Sequence, residues 1–221
     1  KDSSINKSRQ ESSHIHSANF SPDYKFVYLP DLGADKIRVF EFLNDSSNQF
    51  FENKLLEVKT ELGSGPRHFT FHPSGKFAYC IEELSGTVCV YSCENGKLIE
   101  KQKVKSYSKK QDTYGSADIH ISPDGLFLYA SNRWIDENTI AVFSISKNGS
   151  IKLLQHQKTG GDHPRNFTLD PSGKFLLVAN KNSNNVIVFK RDIKTGLLSQ
   201  TKNEIEVPNP SCLKMKRYLK N

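Results

Sequence analysis

The sequence predicts an all-β protein, a β-propeller built from four-stranded antiparallel blades. A short turn motif recurs four times, and its prolines are 51, 50 and 48 residues apart. These prolines are Pro22, Pro73, Pro123 and Pro171. A fixed period near 50 residues is typical of propeller repeats. Strand-like apolar runs flank every turn, and no long amphipathic helix pattern competes with them.

Each repeat contains four strand-like runs in the same order. In the second repeat, RHFTF and FAYCI flank the turn HPSGK, and TVCVYSC and LIEKQKV follow. A turn this short makes the first two runs antiparallel neighbours. Asn-Gly or Thr-Gly pairs, ending at Gly96, Gly149 and Gly196, suit tight hairpins before the fourth run. The fourth run is the most polar, so we place it at the outer edge and the first run innermost. In the first repeat the fourth run is LLEVKTEL.

The blade boundaries follow from the repeat. Residues 1–13 are predicted to be a loop or the end of a preceding blade, and residues 14–221 to be the propeller domain. The run VPNPSCLKM predicts a closing inner strand at 208–216. Because that strand has no sheet of its own, we expect further blades upstream of residue 1. The four blades are predicted near residues 14–63, 64–113, 114–161 and 162–205.

The composition narrows the classes of partner. The chain has 221 residues, a net charge of +7 and a mean hydropathy of −0.58, which indicate a polar protein without a membrane span. No arginine-rich run or nucleic-acid motif is present, so we expect no nucleic-acid partner. The four cysteines form no CxxC pair, which argues against a zinc site and favours a reducing, cytoplasmic compartment. They are Cys80, Cys89, Cys93 and Cys212.

Superposing the repeats on their turn prolines places many titratable residues at one end of the blades. The first strand of a hairpin begins where the second strand ends, so residues at those two points share a surface. Their identities differ from blade to blade, which is the pattern expected of a site rather than of a structural repeat. The residues are His14, His16, Arg67, His68, Glu83, Asp118, Arg133, His163, Arg165 and Lys181.

Several of these residues also have a purely structural interpretation. Charged residues at strand ends are usually solvated, which is the simpler interpretation of Arg133 and Lys181. His68 is equally interpretable as a hydrogen-bonded structural histidine. His72 and His120 alternate away from this end of the blades and are predicted to be structural.

The segments GPRHFTFHPSGKFAYCIEEL and HPRNFTLDPSGKFLLVANKNSNNVIVF resemble the lactonase family of seven-bladed β-propellers. The segments HIHSANFSPDYKFVYLP and ADIHISPDGLFLYASNR carry the same resemblance, which spans residues 14–215. The resemblance implies hydrolysis of a sugar lactone, most closely 6-phospho-D-glucono-1,5-lactone in the pentose phosphate pathway. It implies His16, Arg67, Glu83 and Arg165 as catalytic residues. The departure from the family is the number of blades, since four are visible here.

The chemistry of lactone hydrolysis fits these residue types. The reaction needs an activated water, a stabilised oxyanion and a proton for the ring oxygen. Arg67 and Arg165 suit the binding of a phosphate, a carboxylate or the oxyanion. Either His16 or Glu83 is the base and the other the acid, and we favour His16 as the proton carrier because imidazole titrates near neutral pH.

The surrounding residues are expected to bind a small anionic lactone. These substrate-binding candidates are His14, His68, Asp118, Arg133, His163 and Lys181. No cofactor or metal is required, although a metal held by His14, His16 and His163 is a less favoured alternative. The functional alternatives are a muconate-type lactonising cyclase and a non-catalytic propeller that binds a protein partner. The oligomeric state is left open.

Overall fold

The computed structural model describes residues 2–43, 49–134 and 136–218, and all regular structure in these ranges is β. Blade 1 contains β1 (Asn19–Phe20), β2 (Phe26–Asp31), β3 (Lys36–Phe42), β4 (Phe50–Glu52) and β5 (Val58–Lys59). Blade 2 contains β6 (Pro66–Phe71), β7 (Phe77–Glu82), β8 (Thr87–Glu94) and β9 (Lys97–Lys105). Blade 3 contains β10 (Ser116–Ile121), β11 (Phe127–Trp134), β12 (Glu137–Ile145) and β13 (Ile151–Lys158). Blade 4 contains β14 (Pro164–Leu169), β15 (Phe175–Asn180), β16 (Asn185–Arg191) and β17 (Leu198–Glu206).

Blades 2, 3 and 4 are antiparallel meanders of four strands in which consecutive strands pair, and in blade 1 both β4 and β5 pair with β3. The sheets confirm the predicted all-β fold with four-stranded antiparallel blades. Buried aliphatic and aromatic side chains fill the spaces between neighbouring sheets, as in the cluster of Tyr79, Val90, Leu128 and Phe143. In the part of the chain that the structure describes, no helix is both long and apolar enough to cross a membrane.

One backbone hydrogen bond recurs in every blade and shows that the superposition on the turn prolines is correct. In blade 2, the amide of Glu83 donates to the carbonyl of Gly65 at 2.7 Å, so the end of the second strand lies beside the start of the first. The equivalent amides are those of Leu32, Arg133 and Lys181, which donate to the carbonyls of His14, Gly115 and His163. We call this end of the blades the cavity end, and the opposite end, with the four proline turns, the turn end.

At the turn end, a tyrosine in each of the first three blades is hydrogen-bonded to the following blade. Tyrosine hydroxyls donate to glycine carbonyls in the pairs Tyr28–Gly96 (2.8 Å), Tyr79–Gly149 (2.9 Å) and Tyr129–Gly196 (2.8 Å). A phenylalanine two residues before each tyrosine covers the same glycine. Gly196 has a φ of +75°, and a Cβ there would lie 2.1 Å from the Phe127 ring. Glycine is therefore required both by the turn and by the approach of the ring.

The outer strand of blade 1 differs from the prediction. The run LLEVKTEL was expected to form it, but β4 pairs with one end of β3 and β5 with the other. Between them, the Asn53 side chain accepts a hydrogen bond from the Leu55 amide at 3.0 Å. Such an Asx turn competes with a strand ladder, which explains why the outer strand is split.

The closing inner strand predicted at 208–216 also differs. Residues 208–216 have no strand pairing among the described residues, and β17 ends at Glu206. Pro208 and Pro210 cannot donate ladder hydrogen bonds. The run is held by asparagine side chains instead, as where the Leu213 amide donates to Asn166 Oδ1 at 2.6 Å.

Candidate active site

Three β-bulges shape the cavity end of the innermost strands. The pairing register shifts between Pro66 and His68, and again between Pro164 and Asn166, so Arg67 and Arg165 are the extra residues. The third shift lies between Ser116 and Ile119. An extra residue bends the strand and re-aims its side chain. The bulges therefore let arginines at strand starts reach a shared space between the blades.

That space is a cavity of about 370 Å³ between the first strands of the blades. It collects charged and imidazole side chains from four blades. They are His16, Arg67, His68, Asp118, His120 and Arg165. Lys214, from the run that follows blade 4, also lines it. Five of the ten residues predicted from the sequence meet in this cavity.

The two cavity arginines have few partners of their own. Arg67 is 3% exposed, and within the described ranges it forms one ion pair, with Glu83, at 3.3 Å between Nε and Oε2. Burial lowers the pKa of Arg67 to about 10, so the group still carries its charge at neutral pH. Arg165 is half-buried and forms no ion pair or side-chain hydrogen bond with any other described residue. The cavity therefore presents two cations with unused donors.

Glu83 lies in a cluster of arginines beside the cavity. Its Oε1 accepts from Arg9 Nη2 at 2.5 Å, and its Oε2 accepts from Arg133 Nη2 at 2.7 Å. Burial would raise the pKa of Glu83, but the charges of Arg133, Arg67 and Arg9 outweigh it and hold the pKa below its usual range. Glu83 is therefore held in its ionised form and contacts three arginines.

Arg9 was not predicted from the sequence. It belongs to the run 1–13, which carries no repeat signal and was expected to be a loop or the end of another blade. The adjoining Gln10 is fully buried and donates to the Leu32 carbonyl at 2.9 Å. That anchor brings Arg9 across the cavity end of blade 1 to Glu83.

Two imidazoles in the cavity have one nitrogen committed and one nitrogen free. His16 Nδ1 lies 2.9 Å from the His14 carbonyl oxygen, so Nδ1 carries the proton and Nε2 is an acceptor. Burial and the charge of Arg67 lower the pKa of His16. His68 Nδ1 lies 2.7 Å from Asp118 Oδ1. Burial also lowers the pKa of His68, although Asp118 opposes that shift.

Asp118 joins the innermost strands of blades 2, 3 and 4. Its Oδ1 binds His68 and accepts from the Ile119 amide at 2.9 Å. Its Oδ2 lies 3.0 Å from His120 Nε2 and also accepts from the Asn166 side chain. Burial would raise the pKa of Asp118, but His120 and His68 hold it well below its usual range, so the carboxylate stays ionised.

The prediction that His120 turns away from the site is wrong. The bulge between Ser116 and Ile119 changes the alternation of side chains along β10, and His120 lines the cavity beside Asp118. His72 lies at the turn end, as predicted, where its Nε2 is 3.0 Å from the Gly125 carbonyl oxygen.

The remaining predicted residues lie around the cavity rather than in it. His14 pairs with Glu11 at 2.8 Å, because Glu11 precedes it by three residues and captures the imidazole on the outer surface. Arg133 is 7% exposed, so the simpler interpretation of a solvated residue is wrong for it. Its Nη1 donates to His163 Nε2 at 3.0 Å, which links His163 to the Glu83 cluster. Lys181 is half-buried and contacts none of these groups through an ion pair in the described residues.

The three histidines considered for a metal do not come together. His14 faces Glu11, His16 faces the cavity and His163 contacts Arg133. Across the described ranges, no group of three or more His, Cys, Asp or Glu side chains is placed to hold a metal ion.

The fold and the cavity together define a β-propeller with a basic, histidine-lined cavity at one end of its blades. A model of the lactonase family, described as a 7-bladed beta-propeller, matches residues 1–215. The chain therefore belongs to the lactonase family of seven-bladed β-propellers.

Named relatives agree with the family. A 6-phosphogluconolactonase of Formosa agariphila is 51% identical over 217 residues, covering 98% of this chain and 62% of the relative. A 6-phosphogluconolactonase of Bacillus subtilis is 35% identical, covering 93% of this chain and 58% of the relative. The chain thus spans less than two thirds of the length of either protein.

Solved structures give the same picture. The periplasmic gluconolactonase PpgL of Pseudomonas aeruginosa superposes with a TM-score of 0.88 at 37% identity, covering 93% of this chain and 57% of that one. A crystal structure from Bacteroides fragilis superposes with a TM-score of 0.91 at 40% identity, covering 97% and 61%.

Proposed function

We propose that the protein hydrolyses a sugar lactone, with 6-phospho-D-glucono-1,5-lactone as the substrate and 6-phosphogluconate as the product. The observation that carries this proposal is the pair of cavity arginines, Arg67 and Arg165, whose donors are largely unused. Guanidinium groups bind phosphate and carboxylate oxygens through paired donors. The two relatives are named 6-phosphogluconolactonase, which points to a lactone substrate. The positive charge of the cavity agrees with a lactone that carries a negative charge.

The cavity also supports the chemistry of ester cleavage. When water adds to the lactone carbonyl, negative charge develops on its oxygen, and a nearby buried arginine stabilises that charge. Arg67 is suited to this role because it is buried and its Nε has no hydrogen-bond partner among the described residues. The proton carrier is an imidazole of the cavity rather than Glu83, since three arginines occupy the Glu83 carboxylate.

We also propose a reducing compartment, such as the cytoplasm, for this chain. All four cysteines are free thiols, although Cys80 and Cys89 lie directly opposite each other on β7 and β8. Disulfides are rare in the cytoplasm, and the structure pairs none of the four cysteines, which supports this proposal.

The decisive test is the rate of lactone hydrolysis by the purified protein and by two variants, Arg165→Ala and His16→Ala. We expect both variants to be slower, because one loses a cation and the other an acceptor in the cavity. Glucono-1,5-lactone, which lacks the phosphate, should be hydrolysed less efficiently, and this preference should shrink in Arg165→Ala. Equal rates for all three proteins would refute the assignment of this cavity.

A further inference from the structure

We propose that His68 is the general base of the reaction and that Asp118 is the residue that positions it. This proposal rests on the lactone hydrolysis proposed above and names the group that takes the proton from the attacking water. It starts from an arrangement that the repeat does not explain, a buried carboxylate shared between two imidazoles at the wall of the cavity.

The hydrogen bond between His68 and Asp118 fixes the tautomer of the imidazole. An ionised carboxylate only accepts, so the proton of neutral His68 lies on Nδ1, 2.7 Å from Asp118 Oδ1. Nε2 then carries a lone pair. It has no hydrogen-bond partner among the described residues, and it is not a buried atom. A general base needs this combination of a held nitrogen and a free nitrogen within reach of water.

Asp118 is itself held rigidly. The backbone amides of Ile119 and Phe167 donate to its two oxygens at 2.9 and 3.2 Å, and the Asn166 side chain donates to Oδ2. These donors come from the innermost strands of blades 3 and 4, while His68 comes from blade 2. The carboxylate therefore fixes the ring of His68 relative to Arg165, which lies one residue before Asn166.

Asp118 favours His68 over His16 as the base. A base becomes an imidazolium during the step, and a carboxylate on its other nitrogen stabilises that cation. His68 has such a carboxylate, whereas His16 Nδ1 meets only the neutral carbonyl of His14, and Arg67 opposes a positive charge there. His16 is thus better suited to accept a hydrogen bond from the substrate or its water.

In the proposed step, a proton of the attacking water passes through His68 to the ring oxygen of the lactone. The water oxygen bonds to the lactone carbonyl carbon while one water proton moves to His68 Nε2, which gives an imidazolium beside the Asp118 carboxylate. The tetrahedral intermediate then collapses, the bond between the carbonyl carbon and the ring oxygen breaks, and His68 returns its proton to that oxygen. The product is a hydroxy acid that ionises in solvent.

The test compares four variants by their kcat/KM for 6-phospho-D-glucono-1,5-lactone. His68→Gln keeps a donor for Asp118 but cannot accept a proton and carry it, so we expect a loss of about 10²- to 10⁴-fold. Asp118→Asn should lower the plateau rate by a similar factor, while His16→Gln should lose about tenfold or less. His72→Gln, a histidine at the turn end, is the matched control and should retain the wild-type rate.

A pH profile separates positioning from structural support. The charged and titratable groups that face His68 are Asp118, Arg67, His120 and His16, and Arg165 and Lys214 share its cavity. The base works only when neutral, so kcat/KM should rise with pH through the pKa of His68, which lies below its usual 6.5. Removing the Asp118 charge should move that rise to still lower pH. A lower rate with an unmoved profile would mean that Asp118 is only structural.

Nuclear magnetic resonance of ¹⁵N-histidine-labelled protein provides a readout that does not depend on turnover or on the Asp118 variant folding. We expect the signals of His68 to show a neutral ring protonated at Nδ1 in the wild-type protein. A ring protonated at Nε2 would overturn the proposal.

The outcomes also distinguish this proposal from the proposed function. If the wild-type protein hydrolyses the lactone and His68→Gln does so at nearly the same rate, His68 is not the base, and the lactonase assignment stands. If the wild-type protein and His72→Gln are both inactive, the assignment fails together with the base that depends on it.

Discussion

The two ends of the blades are built from the same hairpins and follow opposite rules. At the turn end, one tyrosine-to-glycine hydrogen bond is repeated with nearly the same length between three pairs of blades. At the cavity end, equivalent positions hold different residues, such as His16, Arg67 and Ala117. Repetition therefore marks the contacts that hold the blades together, and variation between blades marks the site.

The buried charges show the same contrast. At the turn end, each of the three guanidinium nitrogens of Arg191 has a partner, since they donate to Tyr129, Gly173 and Asp124. At the cavity end, Arg67 is equally buried and has only a 3.3 Å contact with Glu83. A buried cation with unused donors lowers the stability of the folded protein. Binding sites keep such cations when a ligand supplies the missing acceptors.

Among changes that compare the two ends of the blades, the largest expected effect is on catalysis, from Arg67→Gln. Loss of a charged donor that stabilises an oxyanion typically slows a reaction about 10²- to 10³-fold. The free energy of unfolding should stay the same or rise, because the buried Arg67 has unused donors and Glu83 keeps Arg9 and Arg133. Steady-state kinetics and urea denaturation of the same preparation check both parts. Arg133 does not line the cavity, so Arg133→Gln should slow the reaction less. If Arg67→Gln lowered the free energy of unfolding by more than it raised the activation free energy, the contrast between the two ends would be wrong.

The next effect is on stability, from Gly196→Ala at the turn end. The new Cβ would meet the Phe127 ring at 2.1 Å and would occupy a φ of +75°, so we expect a loss of about 1–3 kcal/mol in the free energy of unfolding. Gly75→Ala is the matched control: its φ is +71°, but the nearest atom to its Cβ is 3.6 Å away. Equal losses in both variants would show that the packing of the ring does not matter.

A smaller effect is expected from Tyr79→Phe. This change removes the hydrogen bond to the Gly149 carbonyl and leaves the buried aromatic ring in place. We expect a loss of about 1 kcal/mol in the free energy of unfolding, with lactone hydrolysis unchanged. Tyr24→Phe, at an exposed tyrosine, should change neither quantity. A lower hydrolysis rate in folded Tyr79→Phe would show that the turn end also affects catalysis, against the proposed division of roles.

The smallest effect at neutral pH concerns His163, whose contribution to stability appears only on acidification. Burial and the charge of Arg133 lower the pKa of His163 to about 4, from about 6.5 when unfolded. The unfolded chain therefore takes up the proton first, and stability is complete above about pH 6.5 and is lost as the pH falls towards 4. We expect His163→Gln to show a shallower loss over this interval in urea denaturation. A slope equal to that of the wild-type protein would show that His163 does not contribute.

The fold was predictable because the same sequence pattern repeats about every 50 residues. Four turn prolines and the runs beside them fixed the strands, and the recurring amide contact of Glu83, Arg133 and Lys181 follows the same alignment. The outer strand of blade 1 was predicted incorrectly because an Asx turn at Asn53 interrupts it. The run 208–216 was predicted incorrectly because Pro208 and Pro210 prevent strand pairing there.

The site was predictable only in part. Alignment of the blades brought Arg67, His68 and Arg165 together, since bulges at equivalent positions direct them inward. It could not show that a non-repeating run would bring Arg9 to Glu83, or that a bulge would turn His120 into the cavity. Those contacts depend on a non-repeating segment and on a local bulge, neither of which the spacing of the repeats encodes.

The most direct test of the account is calorimetric binding of 6-phosphogluconate to the wild-type protein and to Arg165→Gln. In the proposed site, Arg67 and Arg165 bind an anion through donors that are largely unused in the free protein. We predict saturable binding by the wild-type protein and an affinity at least about tenfold weaker in the variant, the loss of one charge-assisted contact. Binding of equal strength in both proteins, or no binding by either, would contradict the claim.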